Sequence, residues 1–154
     1  MSNAFAAMNG LFLEDLRPGM SAMFGKTVTE ADLMAFAGVS GDTNPIHLHD
    51  GFARTTRFGR RIAHGMLSGS YISTVIGTKL PGPGAVYISQ TMNFMAPVIA
   101  GDTITAVATI TAIDDKPPLE WLARAADADR EPEPAADAFV AFDADAAAHH
   151  RHQA

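Results

Sequence analysis

The sequence predicts a single α+β domain. The chain has 154 residues, and one domain usually contains roughly 100 to 200, so there is room for one hydrophobic core. A glycine-rich segment near the middle has apolar residues at helical spacing, and two later segments alternate apolar and polar residues as strands do. Helical and strand patterns thus occupy separate parts of the chain, which favours the α+β class.

The first regular elements are a strand and a short helix. Pro18-Gly19 predicts a turn, after which residues 21–24 begin a strand. Thr29 followed by Asp32 resembles a capping box, the reciprocal pairing that begins many helices. We therefore predict a helix over residues 30–37, with apolar positions at helical spacing at Leu33, Phe36 and Ala37.

A loop and a long helix come next. Residues 38–50 contain many turn formers, and we expect an ordered loop there. Residues 65–80 present one apolar helical face, formed by Leu67, Tyr71 and Val75 together with Ile72 and Ile76. Glycine weakens a helix by about 1 kcal/mol. Three glycines in this helix therefore suggest close backbone packing, as when a sheet wraps around it: Gly65, Gly69 and Gly77.

Two strands are predicted after this helix. In the first, apolar residues from Val86 to Phe94 alternate with polar ones. In the second, Ile104, Ala106, Ala108 and Ile110 alternate with threonines. Residues 100–102 supply the turn between them. Both strands would pack one face against the helix.

Composition excludes several classes of protein. The chain has no cysteine, which rules out disulfides, thiolate metal sites and a cysteine nucleophile. Of the net charge of −6, most lies in residues 117–154, with eight acids and three bases, against nine and eight in residues 1–116. The sequence contains no basic stripe with interleaved aromatics, so nucleic-acid binding is not predicted.

Location and assembly are also predicted from composition. No window approaches a membrane span and no leader pattern is present, so we expect a cytoplasmic protein. Only 18% of residues are charged. With so few charges, solubility would benefit from burying surface in an oligomer, which favours a dimer.

The segment of residues 40–50 contains the candidate catalytic pair. Asp42 and His47 lie on one loop, and a turn at Asn44-Pro45 can fold them towards each other. A carboxylate and an imidazole that face one small space can orient a water and move its protons. The residues alone leave another interpretation open, in which Asp42 caps a turn and His47 is partly exposed.

Gly65 is a candidate oxyanion donor. At a helix N-terminus its N–H is free and the helix dipole is positive, so it can stabilise a thioester oxygen that becomes enolate-like. Alternatively, this glycine only permits tight packing. The pair His47-x-His49 lacks further clustered ligands, and we predict no metal site.

These residues resemble a known family. The order Ser40-Gly41-Asp42-x-Asn44-Pro45-x-His47, then Phe52-Ala53, then Ile62-x-His64-Gly65-Met66-Leu67 is similar to the hydratase motif of the MaoC-like family. The resemblance is strongest to its short (R)-specific enoyl-CoA hydratases. It extends over roughly residues 14 to 116, and the spacing runs without a gap from Asp42 through Ser73.

The resemblance implies a fold and a site. It implies a hot-dog fold, in which a curved antiparallel sheet wraps around a long central helix, and a homodimer that acts on an acyl-CoA. Asp42 and His47 match the family's catalytic residues, and Gly65 matches its backbone oxyanion donor. No cofactor and no metal are implied, because the CoA thioester itself activates the double bond. Supporting roles fall to Asn44, Ser73 and His64; Ser73 is also explained as a packing residue.

The end of the chain departs from the family pattern. We divide the chain into a hot-dog domain over residues 1–116 and a divergent segment over 117–154 that is rich in Ala, Asp and Pro. The closing strands of the fold are therefore expected to be missing or altered. A frameshift or a divergent terminus would explain this composition. Within the segment, Leu119 to Ala128 predicts a short helix and Phe139 to Phe142 a strand remnant.

The predicted function is (R)-specific hydration of trans-2-enoyl-CoA to (R)-3-hydroxyacyl-CoA, with the reverse dehydration. Two alternatives stay open: a hot-dog acyl-CoA thioesterase, and a noncatalytic acyl-thioester-binding subunit. The guanidinium groups of Arg57, Arg60 and Arg61 either meet CoA phosphates or form a solvated face. Acyl chain length and metabolic pathway do not follow from the residues.

Overall fold

Four α-helices, one 3-10 helix and three strands make up the described part of the chain. The computed structural model describes residues 8–87, 89–114 and 139–149. The elements in order are a 3-10 helix (Leu13–Asp15), β1 (Ser21–Thr27), α1 (Glu30–Ser40), α2 (Pro45–Leu48), α3 (Asp50–Ala53), α4 (Gly65–Thr78), β2 (Thr103–Asp114) and β3 (Phe139–His149). The α+β class is confirmed.

The three strands form one antiparallel sheet in the order β1-β2-β3. Ser21 pairs with Thr109 at one end of the β1–β2 ladder, and Thr27 pairs with Thr103 at the other. Along β2 every second residue is buried, from Ile104 to Ile110, while the threonines between them are partly exposed. The predicted alternation is therefore confirmed, and β2 turns its apolar face towards the core.

Helix α4 lies at the centre of the core and contacts all three strands. Its buried residues include Leu67, Tyr71, Ile72, Val75 and Ile76, and they pack with Val28, Leu33, Ala63, Ile104, Ala106 and Ala108. Val28, Leu33 and Val75 have no exposed surface, and burying each such side chain stabilises a fold by about 1.5–3 kcal/mol. The predicted central helix is confirmed, ending at Thr78 rather than Leu80. No described helix is long and apolar enough to cross a bilayer.

The helix glycines differ in their surroundings. A Cβ built on Gly65 would lie 3.0 Å from the ring of Phe94, and one on Gly69 would lie 2.9 Å from the Sδ of Met92. Close packing is therefore found at these two positions. At Gly77 a Cβ would meet nothing within 4 Å, so the expectation of close packing is wrong there.

Helix α1 begins at the predicted capping box and is longer than predicted. The Thr29 side chain accepts a hydrogen bond from the Asp32 N–H, and the Asp32 carboxylate accepts one from the Thr29 N–H. Hydrogen bonds from Thr29 and then from Lys26 hold the pKa of Asp32 below its ordinary value. The helix continues to Ser40 and ends where Gly41 adopts a positive φ of 75°, a backbone conformation that suits glycine.

The expectation of an irregular loop over residues 38–50 is wrong in part. Residues 45–48 and 50–53 form the short helices α2 and α3. The Asn44 side chain accepts a hydrogen bond from the Ile46 N–H and Pro45 occupies the first turn, so these turn formers act as helix-starting residues. His49 begins α3 in the same way, because its Nδ1 accepts from the Phe52 N–H at 3.0 Å.

The strand predicted over residues 86–94 is not found in its described residues, 86–87 and 89–94. A strand requires a hydrogen-bonded neighbour, and no backbone hydrogen bond joins these described residues to β1, β2 or β3. The segment instead contacts α4 through side chains, with Phe94 against Gly65 and Met92 against Gly69. The apolar alternation reflects this contact with the helix rather than pairing in the sheet.

The end of the chain contributes a strand to the sheet. β3 pairs with β2 from Thr103 opposite His149 to Asp114 opposite Phe139. The strand begins at Phe139 as predicted and runs well past Phe142. The helix predicted over residues 119–128 lies outside the described residues. The division at residue 116 and the origin of the unusual composition remain predictions.

The open space beside Gly77 gives a stability prediction. Replacing Gly77 with Ala raises the free energy of unfolding by about 0.5–1 kcal/mol, because alanine restricts the unfolded chain and fits a helix better. Urea denaturation followed by circular dichroism measures the change. Gly101 has a φ of 100°, so Gly101→Ala is the matched control and is destabilising. A loss of stability in Gly77→Ala would show that this face of α4 is covered.

Candidate active site

Asp42 and His47 converge at the end of α1. Asn44 caps α2, the helix that carries His47. The Asn44 N–H also donates to Oδ1 of Asp42 at 3.1 Å, which leaves the other carboxylate oxygen for the site. Oδ2 of Asp42 lies 3.8 Å from Nε2 of His47. The structure thus brings together the carboxylate and the imidazole that the loop sequence suggested.

The hydrogen bond on the far side of His47 determines which nitrogen carries the proton. Nδ1 lies 2.8 Å from the carbonyl oxygen of Ile62. A carbonyl oxygen can only accept, so Nδ1 is the donor. In the neutral ring Nε2 therefore bears a lone pair, and that lone pair faces Asp42. The His47 side chain is 11% exposed and that of Asp42 is 50% exposed, so the carboxylate is the more open of the two groups.

Gly65 is the first residue of α4 and lines the same cleft as Asp42. No hydrogen bond joins its N–H to another of the described residues. The N–H groups of a first helical turn point out of the helix and carry partial positive charge. The ring of Phe94 covers the position where a side chain on Gly65 would lie, so only glycine leaves this N–H accessible beside the ring.

His64, the N-cap residue of α4, lies between the loop and the helix. Its Nε2 donates to the backbone carbonyl oxygen of Asp42 at 2.9 Å. Its ring contacts the ring of His47 with centroids 3.9 Å apart and the ring of Phe36 with centroids 5.1 Å apart. The side chain is buried, with 2% of the residue exposed. The resemblance assigned His64 a supporting role, and the structure shows it in contact with both members of the pair.

Two adjoining clefts run along α4. The first, of about 330 Å³, is lined by Phe36, Ser40, Asp42, His64, Gly65, Met66 and Phe94. The second, of about 450 Å³, is lined by Phe36, Met66, Gly69, Ser70, Ser73, Tyr87, Ser89 and Gln90. Ser73 is exposed in the second cleft and not beside Asp42. Phe36 and Met66 line both clefts.

The sequence did not identify Phe36, Met66 or Phe94 as site residues. Phe36 lies at a helical apolar position, which predicts core, yet it is only partly buried and faces the clefts. Met66 follows Gly65 directly and is 54% exposed. Phe94 was placed on a strand. The one available signal was the adjacency of Met66 to the His-Gly pair.

Three residues of the site carry groups that commonly bind metal ions. Possible ligand atoms of Asp42, His47 and His64 lie within 4.8 Å of one another. The two imidazoles are stacked, with an angle of 30° between their planes. Nδ1 of His47 and Nε2 of His64 are each engaged by a backbone carbonyl oxygen, so each ring has one nitrogen left for a metal. His49 is engaged in capping α3 and does not join His47. This arrangement fits a metal poorly.

The arginines next to the site differ in their contacts. Arg61 lies within 2.8 Å of a carboxylate oxygen of Glu30 and 2.7 Å of one of Asp50. The hydrogen bond from Arg61 lowers the pKa of Asp50. Arg57 lies over the ring of Phe58. The guanidinium of Arg61 is therefore already paired within the chain, and a role in binding CoA phosphates is an untested expectation.

Comparison with known proteins identifies the class to which this fold and site belong. The family model described as "MaoC like domain" matches residues 16–119. The chain belongs to this family. The solved structure of an (R)-hydratase from A. caviae involved in PHA biosynthesis aligns with a TM-score of 0.62 and 43% identity, covering 64% of this chain and 75% of that one. The hot-dog fold is thereby confirmed.

Curated relatives are similar over the same region. An (R)-specific enoyl-CoA hydratase of Rhodospirillum rubrum is 53% identical over 102 residues, which are 66% of this chain and 71% of that protein. The (R)-specific enoyl-CoA hydratase of Aeromonas caviae is 44% identical over 109 residues, which are 71% of this chain and 81% of that protein. The family resemblance inferred from the loop and the His-Gly pair is confirmed.

The stacked imidazoles give a prediction about metals. Protein dialysed against EDTA and then against Zn²⁺ retains less than about 0.1 equivalent after gel filtration, because one nitrogen of each ring is already engaged by a carbonyl oxygen. Elemental analysis measures the retained metal. A stoichiometric amount that disappears in a His64→Gln variant would contradict this account and identify a three-ligand site.

Proposed function

We propose that the protein is an (R)-specific enoyl-CoA hydratase, which converts trans-2-enoyl-CoA to (R)-3-hydroxyacyl-CoA and also catalyses the reverse dehydration. The observation that carries the proposal is the 3.8 Å separation between Oδ2 of Asp42 and Nε2 of His47, the nitrogen without a proton in the neutral ring. Asp42 also lines the same cleft as Gly65, whose N–H is the first of α4. The names of the relatives support this activity. As a hydro-lyase it needs no cofactor, because the thioester activates the double bond.

Asp42 and His47 act on one water. Their separation is too long for a direct hydrogen bond, and a water placed beside both groups can reach each of them. Nε2 of His47 has the lone pair to accept a proton from this water, and Oδ2 of Asp42 accepts a hydrogen bond from its other O–H. The pair therefore orients the water and removes one proton, as general base catalysis requires.

The addition then proceeds through an enolate-like state. The water oxygen bonds to C3 as its proton moves to His47, and the electrons of the double bond move towards C2 and the thioester oxygen. The Gly65 N–H donates to that oxygen and stabilises its developing charge. The proton on His47 is then delivered to C2, so that the product contains both parts of the water and the enzyme is regenerated.

Supporting residues keep this geometry. Asn44 holds one carboxylate oxygen of Asp42 through its N–H and begins the helix of His47 through its side chain. Ser73 belongs to the second cleft, where the acyl chain or the pantetheine arm would pass. We expect Ser73 to affect substrate binding more than the chemical step.

Assembly, pathway and location are further parts of the proposal. We propose a homodimer, because Phe94 and Met95 beside the cleft are 59% and 90% exposed, and apolar side chains of this size are typical of interfaces. Supply of hydroxyacyl-CoA for polyhydroxyalkanoate is one candidate pathway, since the A. caviae hydratase is described as involved in PHA biosynthesis. Fatty acid metabolism is another. Acyl-CoA is an intracellular substrate, which favours the cytoplasm, and no nucleic-acid or membrane partner is expected.

The direct test of the activity is incubation with crotonyl-CoA. Hydration predicts loss of the enone absorbance without release of free thiol, and chiral analysis of the product gives the (R)-3-hydroxy isomer. Release of thiol alone would identify a thioesterase and contradict the proposal. Absence of both reactions together with saturable binding of the thioester would favour a noncatalytic binding subunit.

The roles of the pair are tested by Asp42→Asn and His47→Gln. Each variant keeps the size of the side chain but removes a charge or a base, and each lowers kcat by about 10²–10⁴-fold. Steady-state hydration of crotonyl-CoA measures the loss, and thermal denaturation controls for folding. Thr43 is an exposed neighbour on the same loop, so Thr43→Ser is the matched control with nearly unchanged turnover. Full activity in both active-site variants would exclude this mechanism.

A further inference from the structure

His64 occupies the N-cap position of α4, but its buried imidazole makes no capping hydrogen bond to the helix. It donates a hydrogen bond from Nε2 to the carbonyl oxygen of Asp42 at 2.9 Å, which ties the backbone of the loop to the helix N-terminus. Its ring also lies 3.9 Å from the ring of His47 between centroids. The side chain of His64 thus contacts the backbone of Asp42, which is proposed to orient the water, and the ring of His47, the proposed base.

The hydrogen bond also fixes the tautomer of His64. A carbonyl oxygen accepts and does not donate, so Nε2 carries the proton. Nδ1 is buried and has no hydrogen-bond partner among the described residues. The hydrogen bond to Asp42 and the contact with the ring of His47 hold the ring of His64 in a fixed orientation.

An unpartnered buried nitrogen is rare in native structures and calls for an explanation. A phenylalanine would fill the same space without an unpartnered nitrogen, but it could not donate to the Asp42 carbonyl. The imidazole leaves Nδ1 without a partner among the described residues. Its Nε2–H, however, donates to the carbonyl oxygen of Asp42 while the ring stays against His47. The geometry therefore indicates that donation to Asp42 is the property that the imidazole provides here.

We propose that His64 is a positioning residue for hydration, which sets the separation between the Asp42 carboxylate and Nε2 of His47 through its hydrogen bond to the Asp42 backbone. This inference rests on the proposed function, because the separation matters for catalysis only if Asp42 and His47 act on one water. His64 acts through Asp42 and His47, and changes at this position affect the chemical step more than the binding of the thioester.

Two substitutions separate the two contacts. His64→Gln places an amide N–H near the position of Nε2 and keeps the hydrogen bond, whereas His64→Phe keeps a stacked ring and loses the donor. We expect kcat for crotonyl-CoA hydration to fall by about 10- to 100-fold in His64→Phe, because the loop backbone at Asp42 loses the hydrogen bond that ties it to the start of α4. His64→Gln stays within about fivefold of the unchanged protein. KM changes by less than about threefold in both.

A double substitution tests whether the effect passes through Asp42. In the Asp42→Asn background His64→Phe causes little further loss, because residues that act as a unit are not additive. A structural role for His64 alone predicts the same fold loss in both backgrounds, and this result would overturn the inference. Equal losses in the Gln and Phe variants would also overturn it.

A second readout does not depend on turnover. Crystal structures of the two variants give the separation of Asp42 Oδ2 and His47 Nε2, which is 3.8 Å here. We expect this separation to be kept in His64→Gln and to increase in His64→Phe. If the unchanged protein hydrates no enoyl thioester but the separation follows this order, the proposed function fails while the positioning role holds. If the separation is the same in both variants, the positioning role fails.

Discussion

The hydrogen bond between Nδ1 of His47 and the carbonyl oxygen of Ile62 determines the chemistry of the site. It holds the proton of the neutral ring on the side away from the cleft, so that Nε2 presents a lone pair towards Asp42. If the acceptor were lost, the ring could rotate or change tautomer and Nε2–H would face the carboxylate. The ring could then no longer accept a proton from a water held there. A single backbone oxygen thus distinguishes a base from a hydrogen-bond donor.

The backbone that supplies this oxygen is held from several sides. The Ile62 N–H donates to the carbonyl of Ile46 on α2, and the Ala63 N–H donates to Val98 at 2.7 Å. Arg61, the preceding residue, pairs with Glu30 on α1 and with Asp50 on α3. These ion pairs are partly exposed and each is worth little in stability. Their position is informative, because they join α1 and α3 to residues 61–64, which lead into α4.

Part of this arrangement could be predicted from the sequence. The capping box at Thr29 is local, because both partners lie within four residues, and the alternation along β2 depends only on which face is buried. The proximity of Asp42 and His47 follows from a short loop with Asn44 and Pro45 at its turn. The meaning of the His-Gly pair was available only through resemblance to a family.

Other features depend on contacts between distant parts of the chain. The segment around Phe94 has the alternation of a strand, but whether it pairs depends on whether distant parts of the chain place a sheet edge beside it. Gly65 and Gly77 are equivalent in the sequence pattern, and only the positions of Phe94 and Met92 show which glycines are constrained. The acceptors for His47 and His64 lie 15 and 22 residues away. No local pattern shows which carbonyl oxygen an imidazole will meet.

The account is tested most directly by the protonation of the His47 ring. Two-dimensional NMR of protein labelled with ¹⁵N at histidine distinguishes protonated from bare ring nitrogens, and His47→Gln assigns the signals. The account predicts that the neutral ring of His47 carries its proton on Nδ1, where the Ile62 carbonyl oxygen accepts it, and that Nε2 is bare. A spectrum in which Nε2 of His47 carries the proton would contradict it, because that ring could not act as the base facing Asp42.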